Sequence, residues 1–443
     1  MATVQSEADQ REAPLVARHL RVPFALLILC FAAWGMAANL TDILVGVFRG
    51  IFDMSNFQSS LVQFAYYGAY FLLAIPAAVI NSRFGFKTGV LVGLGLAAVG
   101  GFLFIPAGEM LAYNMFLLAL FVLAAGLSIL ETSANPFVIA MGDEASATQR
   151  LNLAQSFNPV GANLGVLMGA VLILPNLTPE ESKTIMSEGE LLAAQEADLF
   201  QVLRPYVFIA SVLVLIWLLI AFRKMHLPTE PEAVDLTEGG GGTFARLWAN
   251  RHYRFGVVAQ FFNVAAQTCT WTFTILYAQD VVGLSQEAAG WWLQASLIIF
   301  LVSRFVMTWL LGIFRPAKLL LIMALFGAAC CLTSMFVLNI VGLVAVVMIS
   351  AGLSLMFPTI YGMALQGLGP DAKFGSAGLV MAILGGALIP MVHAAVMDVS
   401  SSALGYAVPG VCLLVVAAYA MFDLRTDRPG PGAPAAHEAG ARS

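Results

Sequence analysis

The sequence predicts an all-α membrane protein of twelve transmembrane helices, arranged as two six-helix halves. Three observations carry that expectation. Of 443 residues, 60% are hydrophobic and 11% charged, against roughly 25% charged in a soluble domain, and mean hydropathy is +0.86. The apolar residues fall into twelve runs, each able to supply a span of about 20 residues. Lys and Arg gather on alternate loops, as the positive-inside rule requires.

The runs lie near 23–48, 57–81, 88–106, 112–141, 150–175, 205–223, 253–281, 286–312, 317–338, 340–366, 374–397 and 402–422, and are called spans 1 to 12. Several exceed about 25 residues, so tilting or kinking is expected. With the N-terminus in the cytoplasm, 17 of the 21 Lys and Arg fall on cytoplasmic segments. Arg49, Lys183 and Arg204 then lie outside, and Arg304 lies within a span. Both termini, 1–22 and 423–443, are therefore expected to be cytoplasmic tails. The run after residue 22 is too long for the core of a cleaved signal, so the first tail is expected to persist. A net charge of −5 argues against a nucleic-acid partner. The cysteines Cys30, Cys269, Cys330, Cys331 and Cys412 all lie in apolar runs without a CxxC pair or Cys/His cluster. They read as packing residues, with neither disulfides nor a metal site expected.

The midpoint divides the chain. Residues 224–252 contain Gly239 to Gly242 in a row with acidic flanks, which reads as a flexible cytoplasmic linker. The acidic stretch 176–204 reads as an external loop. Halves 23–223 and 253–422 show a weak, ordered repeat. "NPFVIAMGDEASATQRLNLAQSF" (135–157) corresponds to "FPTIYGMALQGLGPDAKFGSAGL" (357–379), with Pro136 and Pro358 aligned, and "FGFK" (84–87) corresponds to "FRPAK" (314–318). Two such halves related by a pseudo-twofold axis are the architecture of major facilitator transporters.

Ionisable residues deep in the spans are few: Asp42 in span 1, Glu131 in span 4, Arg304 in span 8 and His393 in span 11. A charge at the bilayer centre costs at least about 2.5–3.5 kcal/mol, so each needs a reason. For Arg304 the expected reason is structural, pairing with an acid or lining water; for His393 it is packing or hydrogen bonding. Asp42 and Glu131 have no cation within a turn in sequence. Burial favours the neutral form of a carboxyl, which loses its proton once water arrives. That is the behaviour of a proton carrier. Around these acids stand Asn39, Gln63, Asn135, Gln155, Asn158, Asn163, Gln260, Asn263, Gln267 and Gln294. Amides glue helices for about 0.6 kcal/mol per contact, but they also offer donors and acceptors together, which suits a polyol. Trp271 and Tyr361, a turn or more inside spans 7 and 10, are placed to pack against the C–H face of a sugar ring.

The stretches "ANLTDIL" (38–44), "LETSANPFV" (130–138), "RLNLAQSFN" (150–158), "AQTCTWTFTILYA" (266–278) and "FPTIYG" (357–362) resemble the fucose:proton symporter family of the major facilitator superfamily. The likeness runs from about residue 23 to 400. It implies that Asp42 and Glu131 form the proton-coupling pair and that Asn39, Gln155 and Asn158 bind sugar. Two departures bear on the substrate: Phe357 stands where a tyrosine is usual, and Asn263 where a bulky aromatic is usual. Ser82 replaces the usual aspartate of the loop after span 2.

The resulting expectation is a proton-coupled sugar symporter of a bacterial inner membrane, working by alternating access on L-fucose or a related mono- or disaccharide. It would work as a monomer with no cofactor beyond the proton. A sodium-coupled glucose/galactose-type transporter of the same fold is the nearest rival. A membrane sensor or membrane enzyme is the distant one, since no nucleophile–base pair, metal cluster or phosphate loop is present in the sequence.

Overall fold

The computed structural model describes residues 15–51, 56–110, 112–168, 186–225 and 240–426, with 171, 176, 178 and 182 singly between them. These residues are overwhelmingly helical and, among them, no strand occurs. Span 1 is Arg21–Ile51 and span 4 is Tyr113–Ile139. Spans 2 and 3 share one helical element, Asn56–Glu109, broken only at Gly85. The φ of 81° at Gly85 lies in the region that L side chains avoid, so a glycine is required where one span hands over to the next. Span 5 is two pieces, Ala147–Gln155 and Phe157–Met168.

In the second half, span 7 is Arg251–Val282, closed by Gly283 in the left-handed conformation at φ 75°, a common helix stop. Span 8 is Gln286–Leu310 and span 9 is Pro316–Phe336. Span 10 is again two pieces, Ile340–Leu353 and Met356–Leu365. Span 11 comprises Ala372–Met381 and Gly385–Val399, and span 12 is Ala407–Arg425.

Two expectations are corrected. The stretch 176–204 is not all loop, because span 6 begins early, as Glu188–Phe222. Ser187 and Glu190 form a reciprocal capping box there, and the following Ala, Leu, Glu and Gln are strong helix formers that outweigh the acidic composition. The linker is not all flexible either. Gly240–Ala249 is a helix, pinned at its polar side by Arg246, whose Nε and Nη2 donate to the Asp371 carboxylate at 2.9 and 2.8 Å. Residues 226–239 lie outside the described residues.

Among the described residues, nine helical stretches are long and apolar enough to cross a membrane; one of them, Ala65–Glu109, holds spans 2 and 3 together. Span 7 falls short of that apolarity because Gln260, Asn263 and Gln267 run along it.

Cations on the Lys/Arg-rich side close several helix ends, where carbonyls lack intrahelical partners and the dipole is negative. Lys87 Nζ donates to the Ala221 and Arg223 carbonyls at 3.1 and 2.9 Å, capping span 6. Buried Arg150 donates to the carbonyls of Val138, at 2.8 Å, and Ile139, capping span 4.

Each half has its own apolar core. The first is continuous with Phe357, Tyr361, Leu365, Leu379 and Val380 of spans 10 and 11, so the inner ends of those spans pack against the opposite half. Within the first half, spans 1 and 5 approach so closely that a Cβ at Gly161 would stand 1.8 Å from the Ala32 carbonyl oxygen, and one at Gly35 would stand 2.1 Å from that of Asn158. Small residues permit this backbone contact, as is usual between membrane helices.

Candidate functional site

The site lies where spans 4 and 5 face span 10. Glu131 is 1% exposed; the side chain of Asn135 is its hydrogen-bonding neighbour, and among the described residues no cation pairs with it. One turn on, Asn135 is fully buried; its Oδ1 accepts from Gln155 Nε2 at 2.7 Å. Asn135, Tyr70 of span 2 and Tyr361 of span 10 are all within electrostatic reach of the Glu131 carboxyl. Tyr361 is buried, its hydroxyl within hydrogen-bonding reach of the Ser376 and Asn135 side chains and its ring stacked on Phe357 at 6.2 Å. A buried polar group normally finds a partner. Here several buried donors and acceptors converge on one acid at the junction of the halves.

Tyr70 extends this group outward in sequence. Its hydroxyl accepts the Trp34 indole N–H at 2.8 Å, its carbonyl accepts the Ser128 hydroxyl at 3.1 Å, and its ring lies 5.2 Å from that of Tyr66. Tyr70 is not among the residues expected from the sequence, although Tyr66 stands one helical turn before it. The signal was available, since Tyr70 is four residues on and shares the Tyr66 helix face. Ser376, whose hydroxyl donates to the Thr132 carbonyl at 3.2 Å, was also missed; a single serine carries no such signal.

The other expected residues divide into groups. Asn39 and Asn158 are half-buried on the seam between spans 1 and 5, donating to the Gly35 carbonyl at 3.2 Å and the Phe31 carbonyl at 3.4 Å. In the second half, Asn263 and Gln260 are buried with no partner on any amide atom, and Gln267 follows half-buried one turn later. The Trp271 indole N–H is committed to Ser350 Oγ at 3.0 Å, and its ring meets Phe300 edge-on at 5.0 Å. A stacking role for Trp271 therefore uses its remaining ring surface. The side chains of Asp42 and Gln63 lie outside the described residues, although both positions fall in helices. His393 packs as expected, stacked on Phe273 at 4.2 Å, and its nitrogens have no hydrogen-bond partner.

Arg304 departs from expectation. It is buried and, among the described residues, no acid pairs with it. Instead its Nε donates to the Ser354 carbonyl at 2.6 Å and its Nη1 to the Gln155 carbonyl at 3.3 Å, with the guanidinium carbon 4.6 Å from the centre of the Phe300 ring.

Further hydrogen bonds tie the halves on the same side. Gln149 Nε2 donates to the Thr308 carbonyl at 3.4 Å, Ser156 and Thr308 hydroxyls lie 3.2 Å apart, Asn152 Nδ2 donates to Thr359 Oγ1 at 3.2 Å, and Gly367 N donates to Glu144 at 3.0 Å. On the other side Gln294 Nε2 donates to Asn163 Oδ1 at 3.1 Å. The end bearing most Lys and Arg is thus the closed one.

Two six-helix halves, closed at one end and meeting around a buried acid and amides, define a secondary transporter of the major facilitator class. The Major Facilitator Superfamily model matches residues 24–383. The chain belongs to that superfamily and, within it, to the fucose:proton symporter family. It is 39% identical over 411 residues to the L-fucose-proton symporter of Escherichia coli, covering 91% of this chain and 94% of that one. To the glucose/galactose transporter of Brucella abortus it is 33% identical over 409 residues, covering 91% and 95%. A crystal structure of the major facilitator transporter FucP in the outward conformation superposes with a TM-score of 0.87 at 38% identity, covering 92% of this chain and all of that one. A proton:xylose symporter, at 13% identity and TM-score 0.64 over 90% of this chain and 94% of that one, shares the fold.

Proposed function

We propose that this protein is a proton-coupled sugar symporter, taking up L-fucose or a related mono- or disaccharide by alternating access in a bacterial inner membrane, with both termini cytoplasmic. The observation that carries the reading is Glu131, a buried carboxyl with no cation paired to it among the described residues, set among amides and phenols at the junction of the halves. An ionised carboxylate there, unpaired, would be expensive; a neutral one is not. Protonation of Asp42 and Glu131 thus favours closure around solute, and access to water on the inner side favours release. Gln155, Asn158 and Asn39 from the first half, with Gln63 and Asn135, supply donors and acceptors for sugar hydroxyls. Asn263, Gln267, Trp271 and Tyr361 supply the facing surface. No further cofactor enters this cycle, and one chain contains every part it requires. Membership of a family with both fucose and glucose/galactose transporters supports a sugar and leaves its identity to the amide pattern.

The test is direct. Reconstituted in proteoliposomes, the protein should alkalinise a weakly buffered medium when its sugar is added, with labelled uptake competed by a panel of L-fucose, galactose, glucose, N-acetylglucosamine and sucrose. Uptake that requires sodium and leaves pH unmoved would exclude proton coupling.

A further inference from the structure

Arg304, a buried charge at the junction of the halves, has no part in the cycle above. Arg304 is held by two backbone carbonyls, and both are carbonyls that a proline strands. In an unbroken helix the Gln155 carbonyl would accept from the N–H of residue 159, and the Ser354 carbonyl from that of residue 358. Those residues are Pro159 and Pro358, which have no N–H to give. The helices break there accordingly: Ala147–Gln155 ends at the first carbonyl, and Ile340–Leu353 ends just before the second. Each carbonyl also sits at a helix C-terminus, where the dipole is negative. One guanidinium therefore faces two negative helix ends, one from each half, at 3.3 and 2.6 Å.

We propose that Arg304 is the clasp that holds the two halves shut on the cytoplasmic side, by bridging the carbonyls freed by Pro159 and Pro358. Arg304 and Ser354 belong to the same half, so their bond persists as the halves part. The bond to Gln155 is the one that crosses and must break. One turn further along span 8, Thr308 meets Ser156 and Gln149, so Arg304 anchors a strip of contacts rather than standing alone. A planar guanidinium reaches two acceptors at fixed angles; an ammonium is a point charge. Loss of one charge-assisted hydrogen bond corresponds to about a 10- to 100-fold shift in an opening equilibrium. The claim concerns the conformational switch alone and holds whichever solute or coupling ion is carried.

Hydrogen exchange read by mass spectrometry on the whole protein tests it, comparing wild type with Arg304→Met, Arg304→Lys and Pro358→Ala. Methionine is of similar length and removes a buried charge, a change that apolar replacement often tolerates. Lysine keeps the charge but reaches one carbonyl at a time. Alanine at 358 gives Ser354 a competing N–H. Peptides covering 147–156 and 356–368 should exchange about 10- to 100-fold faster in Arg304→Met and by a smaller factor in the other two, while peptides covering 113–131 stay as in wild type. Unchanged exchange at 147–156 in every variant recovered overturns the proposal. So does equal acceleration in all peptides, which is the signature of a residue that merely stabilises the fold.

Discussion

Replacing Glu131 by glutamine should uncouple accumulation from the proton gradient while leaving solute exchange intact. Glutamine has nearly the shape of a protonated glutamate and keeps one acceptor and a donor, but cannot ionise. The glutamate is 1% exposed, with Asn135 as its hydrogen-bonding neighbour and, among the described residues, no cation paired with it, so a neutral isostere breaks no ion pair there. The fold should be kept, with a thermal midpoint equal to or above that of wild type. What is lost is the proton. One proton moving through about 100 mV supplies about 2.3 kcal/mol, which at about 1.36 kcal/mol per decade sustains roughly a 50-fold gradient of a neutral sugar. Glu131→Gln should lower that ratio to about 1, with counterflow of labelled against unlabelled sugar continuing at a rate within a few-fold of wild type. The assay is labelled uptake in energised proteoliposomes, paired with counterflow in de-energised ones. Accumulation at the wild-type ratio would place the proton elsewhere and refute the reasoning.

Three further outcomes follow from other residues. Asp42→Asn should abolish uphill accumulation, measured in the same vesicles. Gln155→Ala removes the 2.7 Å bond to Asn135 and strands a buried amide oxygen, at about 1–3 kcal/mol, so the half-saturating sugar concentration in counterflow should rise about 5- to 150-fold. Gly161→Val forces a side chain onto the Ala32 carbonyl, since even a Cβ would stand 1.8 Å from that oxygen; overpacking of this kind costs about 1–3 kcal/mol, and thermal unfolding in detergent should report a lower midpoint.

Much of this was legible in the sequence. The twelve spans follow from runs of apolar residues, and amides in such runs are conspicuous enough to mark Asn135, Gln155 and Asn263 without a structure. Arg304 shows where such reading stops. Its charge and depth were visible, and an acid was expected as its partner, because side chains are what a sequence displays. Its partners are backbone oxygens released by two prolines nearly 200 residues apart, and no pattern of side chains announces that they meet. The stretch 176–204, expected to be an external loop, failed differently. Its acidity suggested a loop, yet Ser187 and Glu190 begin a helix at its centre, so local capping outranked composition. Tyr70 is hard to single out because an aromatic in an apolar span usually packs, and only its four-residue spacing from Tyr66 sets it apart.

The contact between spans 1 and 5 has a mechanical meaning. Two helices whose main chains touch at Gly35 and Gly161 have no room to slide or rotate past one another without collision. Asn39 rides on one of them and Asn158 on the other, so these two side chains move as a single plate. Cargo would then meet a pre-set jig rather than assembling one at each turnover, and the travel needed for turnover falls to the boundary that this plate shares with spans 8 and 10.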